Sequence, residues 1–272
     1  MKNSLREAIC FDDFWTAFGP RGFVAMAWWL GAQRAEQIRK DHGSYPLLQL
    51  SGGLDSGRGI LTRYLMKLLG DEMYPPQKPD GHLAQLASHL NAPVLVYERR
   101  SGDKSLFDWR QFLPLYNDSV FALACGGQTT NVIWRGGMMV CAELDERCDT
   151  RLIHLELLGM DGLQRVRSGV DSLNRLTAAQ AGYWREFTQS HSQYVFHMFN
   201  RAAPAYTAGL GEMHSGCITE RSARNFGQLM AMVDCLGFLL NVPNSQRMLI
   251  QREVQDMAAV ETYRLGLGQR MR

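Results

Sequence analysis

A short, mostly apolar run, Leu47-Leu48-Gln49-Leu50, leads directly into a glycine-rich turn, Ser51 to Gly59. The chain then restarts at Ile60–Leu69 with helical character and stops at Gly70. An apolar run of this length, set off by Tyr45-Pro46 on one side and glycines on the other, predicts a buried strand. Strand, glycine turn, helix constrains the fold more than any other stretch. The first amides of a helix have no intrahelical acceptor, so a turn of this kind presents N–H groups and a positive dipole end to an anion.

The turn fits two phosphate-binding patterns. Against G-x-x-x-x-G-K-[ST], Gly52 and Gly57 hold the glycine positions, Arg58 replaces lysine and Gly59 replaces the hydroxyl residue. Gly53, Asp55 and Ser56 fill the loop between. Arginine keeps the charge but not the compact ammonium, and glycine offers nothing to Mg²⁺. Against S-G-G-x-D-S, the pyrophosphate loop of adenylating enzymes, Ser51-Gly52-Gly53-Leu54-Asp55-Ser56 matches letter for letter. A purely structural strand-to-helix turn is the third reading. On the loop alone the three stay level.

The rest of the chain supplies context. Phe23–Arg39 predicts a helix; the pair Trp28-Trp29 within it belongs more naturally to a core than to a base-stacking platform. After the Pro-rich stretch 74–79, a helix over His82–Leu90 and a second buried strand at Pro93–Glu98 follow. Phe107–Tyr116 reads as helical, and Val120–Cys125, Met138–Ala142 and Arg151–Leu157 as strands. Strands alternating with helices predict an α/β core with a parallel sheet. From about Leu173 onward no strand pattern occurs, and Ala178–Phe199, Ala223–Leu240 and Ser245–Tyr263 carry helical spacing. The expected organisation is a helical lead-in over 1–46, an α/β core over 47–160 and an all-helical part over 161–272.

Composition narrows the class. Of 272 residues, 46% are hydrophobic and 21% charged, which excludes long disorder. The net charge of +2 is too small to announce nucleic-acid binding, and the arginine excess over lysine is explained as readily by a GC-rich genome. Six cysteines without a C-x-x-C pair argue against a zinc ribbon or a disulfide framework, and no metal site is expected. His214 and Cys217 match no zinc spacing; Cys141 or Cys148 as a nucleophile would have only His154 nearby in sequence. The longest apolar run, Phe23 to Ala32, is shorter than the about 20 residues of a membrane span. A cytoplasmic protein without a membrane partner is expected.

Several ordered segments resemble the helicase-like ATPase domain (AAA+, superfamily-3-like) found behind TOPRIM-type primase modules in plasmid, phage and integrative-element proteins. His42–Leu50 looks like the strand entering its Walker A loop and Leu61–Gly70 like the helix leaving it. Asn91–Glu98 resembles its Walker B strand, Trp134–Val140 its sensor strand, Thr150–Leu155 the segment bearing its arginine finger, and Asn225–Asp234 its helical lid. The likeness runs from about Phe14 to Glu261.

The resemblance implies a P-loop ATPase core with a helical lid, ATP and Mg²⁺ as ligands, DNA as a partner, and a homo-oligomer or a separately encoded replication partner. It implies Glu98 as the water-polarising glutamate and Arg151 as the finger. It also implies erosion. Arg58 and Gly59 stand where lysine and a hydroxyl belong, Arg99 and Arg100 follow Glu98, and the sensor strand ends Cys141-Ala142-Glu143. Phosphoryl transfer depends on such electrostatic positioning, so little or no hydrolysis is expected. Arg99, Arg100 and Arg135 are the candidate nucleic-acid contacts. A pyrophosphate-releasing adenylating enzyme, or an active helicase using Arg58, remain the rivals. The sequence shows no TOPRIM acid cluster, so a stand-alone remnant or separately encoded partners are expected.

Overall fold

The structure is a computed structural model that describes residues 4–53, 55–70, 94–97, 100–101, 104–105, 109–125, 128–142, 149–159, 164–214 and 217–270. Four strands form a parallel sheet: β1 (Leu47–Ser51), β2 (Val94–Tyr97), β7 (Met138–Cys141) and β8 (Leu152–Glu156), in the spatial order β2-β7-β1-β8. Leu48 pairs with Met139 on one side and Ile153 on the other, so β1 is an interior strand.

Interior parallel strands are covered on both faces, which is why β1 is buried at every position. Alternate residues go to opposite sides. Leu48, Leu50, Met139, Cys141, Ile153 and Leu155 join the main core, whereas Leu47, Met138, Val140 and Leu152 join a smaller cluster under Trp134 and Phe112.

Helix α1 (Ser4–Ala8) precedes α2 (Phe11–Ala32), which starts well before the expected Phe23. Gly19, at φ 52° and ψ −146°, breaks the helical path inside α2, and Pro20 opens the part that follows. Proline is tolerated in a first turn, so the pair bends the element instead of ending it. Phe23 through Leu30 are all buried, Trp28 and Trp29 among them. The expected continuation to Arg39 is a separate helix, α3 (Ala35–His42), closed by Gly43 in the left-handed conformation.

Helix α4 (Arg58–Lys67) leaves the glycine turn and buries Leu61 and Leu65 in the same core that Leu48 and Leu50 of β1 join. Trp109–Tyr116 is a 3₁₀ helix. Two short strands, β3 (Arg100–Ser101) and β4 (Lys104–Ser105), pair antiparallel. Val120–Cys125 is a strand, β5, as expected, but it does not join the parallel sheet. It forms an antiparallel hairpin with β6 (Gln128–Ile133), a strand hidden in the sequence by its polar residues. The helix expected at His82–Leu90 lies outside the described residues.

The C-terminal part is helical throughout its described residues: α5 (Gln164–Arg175), α6 (Ala178–Ala181), α7 (Tyr183–Ser190), α8 (Ser192–Met213), α9 (Glu220–Leu239) and α10 (Asn244–Arg270). Helix α6 opens on a capping box between Thr177 and Gln180, and Thr219 caps α9. Helix α9 is buried along most of its length and packs on α2, α8 and α10. Three hydrogen bonds tie α9 and the 3₁₀ helix to the loops below the sheet. Gln228 donates to the Ser44 carbonyl at 2.9 Å, Asn225 to the Thr150 carbonyl at 2.8 Å, and the Tyr116 hydroxyl to Asn225 at 2.8 Å. One continuous apolar cluster therefore runs from Leu5 to Ala258. No described helix is long and apolar enough to cross a membrane.

Candidate functional site

The chain leaves β1, reaches β2 two places away, returns to β7, and then passes to β8 on the other side of β1. In open α/β sheets, ligands bind beyond the carboxyl ends of the strands at such a reversal. The glycine turn occupies that place. Register brings Leu50 opposite Cys141, Cys141 opposite Tyr97, and Ser51 opposite Glu156, so all four strand ends converge beside the turn.

The turn is shaped by its glycines. Gly52 has φ 150°, and a Cβ there would stand 2.6 Å from Ser56 Oγ and 2.9 Å from the Leu157 carbonyl oxygen. Only glycine fits. Gly57, at φ 71°, is the left-handed residue from which α4 starts, and its carbonyl accepts from the amides of Ile60 at 2.9 Å and Leu61 at 3.0 Å. Gly53 and Gly59 face open space. Asp55 is exposed, whereas Ser56 is 2% exposed and its hydroxyl donates to the Gly53 carbonyl at 2.7 Å. The Ser56 amide donates to the same oxygen at 3.1 Å, so this amide is spent inside the loop.

Arg58 occupies the first helical position and is half-buried. Its charge reaches Cys141 at the end of β7. That thiol is buried, and burial pushes its pKa up to about 12 against the pull of Arg58. It is a protonated, apolar group and no nucleophile. His154 is no partner for it: His154 pairs in register with Gln49, on the face of the sheet opposite to Cys141.

The Arg58 amide donates to Ser56 Oγ at 3.4 Å, and the loop's own serine is bonded to Gly53. The next hydroxyl in the helix, Thr62 Oγ1, donates to the carbonyls of Arg58 and Gly59 at 3.0 and 3.2 Å.

The remaining candidates are dispersed. Arg151 lies just before β8, at the opposite end of the sheet, about 16 Å from the turn at a rise of about 3.3 Å per residue. Its guanidinium is held two-pronged by Asp149, at 2.9 and 2.7 Å; burial raises the carboxyl pKa, but the bonds and charge of Arg151 outweigh it and the net shift is downward. Arg135, likewise beyond the amino end of its strand, is ion-paired with Glu36 at 3.2 Å. Arg100 lies on β3. Glu98 and Arg99 fall outside the described residues. Among the described residues no cluster of three or more histidines, cysteines or acids is placed to hold a metal.

Two buried polar arrangements escaped sequence reasoning. Arg39 is 5% exposed and donates to Ser119 Oγ at 3.0 Å and to the carbonyls of Trp134, Arg135 and Gly136 at 3.3, 3.4 and 2.6 Å. It fixes the loop that feeds β7. Glu261 and His154 line a cavity between α10 and β8. Neither arrangement has a local signature, because each joins residues far apart in sequence.

No protein-family model matches the sequence, and a search of curated proteins finds no match. Among solved structures, the chain is similar to one described as "SCCmec type IV Cch - active helicase", with a TM-score of 0.66 over 97% of this chain at 11% identity. The chain spans about half, 51%, of that protein's length. At this identity the likeness speaks for architecture, and the chain has a helicase-like fold.

Proposed function

We propose that the chain is a helicase-like module whose glycine turn holds the phosphates of a nucleotide without turning them over, and which acts through assembly or DNA contact. The observation that carries the reading is the first turn of α4. Its backbone starts from a left-handed Gly57 with Arg58 beside it, while Gly59 opens onto empty space where a metal-holding hydroxyl would be needed. Backbone amides and one guanidinium favour an anion. Transfer of a phosphoryl group requires charge stabilisation that this turn lacks. Arg151, distant from the turn of its own chain, fits a role toward a neighbouring subunit, and the helicase-like fold accords with DNA as partner.

Titrating the purified chain with ATP by calorimetry, with and without Mg²⁺, tests this. The expected result is binding that changes little with Mg²⁺, falls about tenfold or more in Arg58→Ala as befits loss of a charge-assisted contact, and yields no product. Release of ADP and phosphate at about 1 s⁻¹, an ordinary enzyme rate, would establish an active motor instead. The Ser51–Ser56 match favours a second reading, an adenylating enzyme, which release of AMP and pyrophosphate would identify.

A further inference from the structure

A cavity of about 120 Å³ separates the edge strand β8 from the C-terminal helix α10. Glu261 reaches it from α10, His154 and Glu156 from β8, and Arg21 from α2. Glu261 is 5% exposed; its Oε1 accepts from Ser222 Oγ of α9 at 2.6 Å, and its Oε2 has no partner. Both ring nitrogens of His154 are buried without a partner.

The surrounding charges do not compensate this carboxyl fully. On α10 itself stand Arg264, Asp256 and Glu253. Arg21 is committed elsewhere: it pairs with Glu253 at 2.7 Å and donates to the Glu156 carbonyl at 2.6 Å. Glu261 also acts on the Tyr116 hydroxyl, and Asp149 acts on His154. Burial pushes the Glu261 carboxyl up to about 7, with the Ser222 hydroxyl and Arg264 pulling the other way. Burial holds the His154 imidazole down to about 4, and Arg264 lowers it further against the pull of Asp149. Arg264 thus favours the ionised carboxyl and opposes the charged imidazole, so a proton leaving Glu261 does not settle on His154.

We propose that this cavity is a proton-responsive joint, closed while Glu261 is protonated and loosened when its ionisation draws water between α10 and β8. An ionised carboxylate with one hydroxyl donor and an empty oxygen is under-solvated. The cavity is large enough and polar enough to admit water. Loosening there frees the last turns of α10 from the sheet edge, whereas the Arg21–Glu253 pair keeps the earlier turns in place. The joint is independent of whether the glycine turn holds a nucleotide.

Amide hydrogen exchange of the full chain, read on residues 254–266 and corrected for the intrinsic pH dependence of exchange, tests it. Protection is expected to fall about tenfold between about pH 6 and about pH 8, and to stay level across that range in Glu261→Gln. Level protection in the unaltered chain, or the same fall in Glu261→Gln, overturns the proposal. If Glu261→Gln does not fold, Ser222→Ala serves. It removes the bond that favours the ionised form, so the midpoint of the fall must move to higher pH, and an unmoved midpoint overturns the proposal.

Discussion

Ser56 turns its hydroxyl inward onto the carbonyl oxygen of Gly53 at 2.7 Å, and so closes the glycine turn on itself. The same carbonyl accepts the Ser56 amide at 3.1 Å. The residue that gives the six-letter pyrophosphate-loop match its final serine therefore serves the loop's own shape.

The glycines of this turn are not equivalent, and substitution separates them. Gly52→Ala drives a Cβ into Ser56 and the Leu157 carbonyl at a φ of 150°. It is expected to cost about 2 kcal/mol or more from overpacking and backbone strain. Gly59 lies inside α4 with nothing near its absent Cβ. Gly59→Ala is expected to stabilise by about 0.5–1 kcal/mol, because alanine loses less backbone entropy in a helix. Urea denaturation of the two variants should move the midpoint in opposite directions.

On the proposed function, cation dependence can be built into the turn. Arg58→Lys combined with Gly59→Thr places a compact ammonium and a first-turn hydroxyl at the start of α4. ATP binding is expected to become Mg²⁺-dependent, tightening about tenfold or more when the metal is added, as a charge-assisted contact would provide. Calorimetry with and without Mg²⁺ reads it; affinities that do not respond to the metal would refute phosphate seating at this turn.

Arg39 should tolerate no replacement. Its guanidinium serves four acceptors at once on the 119–136 side of the molecule, and burial lowers its pKa to about 10. Arg39→Ala leaves buried carbonyls without a donor and is expected to cost about 3 kcal/mol. Arg39→Lys should recover only part of that, since one ammonium cannot span the same set. Chemical denaturation of the two variants measures the difference.

Global stability should be highest on the mildly acid side, over about pH 4.5 to 6.5, and fall on either side of it, shaped by two opposed groups. The folded pKa of His154 lies below its usual 6.5, at about 4, so its contribution is present above about 6.5 and is lost as pH falls through about 4. The folded pKa of Glu261 lies above its usual 4.5, at about 7, so its contribution is full below about 4.5 and is lost as pH rises through about 7. Each shift corresponds to a swing on the order of 3 kcal/mol. Between about 4.5 and 6.5 the two largely offset. Glu261→Gln is expected to flatten the alkaline side and His154→Gln the acid side, both read from thermal melts across pH.

The strand, glycine turn and helix over residues 47–70 were legible because the apolar run, the punctuation and the helical spacing lie within one short window. The pairing of Val120–Cys125 with Gln128–Ile133 was not, because the polar run Gln128-Thr129-Thr130-Asn131 carries no strand signal. Gly19-Pro20 concealed the first half of α2 for a related reason. Punctuation in sequence does not say whether a helix stops or merely bends until the core that Phe11, Phe14 and Phe23 share is in place.

By itself the amino-acid sequence determined the local backbone chemistry: which glycines turn, which stretch is buried on both faces, and where the helix after the turn begins. Tertiary structure alone decided which strand neighbours which, that Arg151 and the turn sit at opposite ends of the sheet, and that His154 and Glu261 line one cavity. Backbone preferences are set by neighbours in the chain, whereas burial and proton affinity are set by neighbours in space.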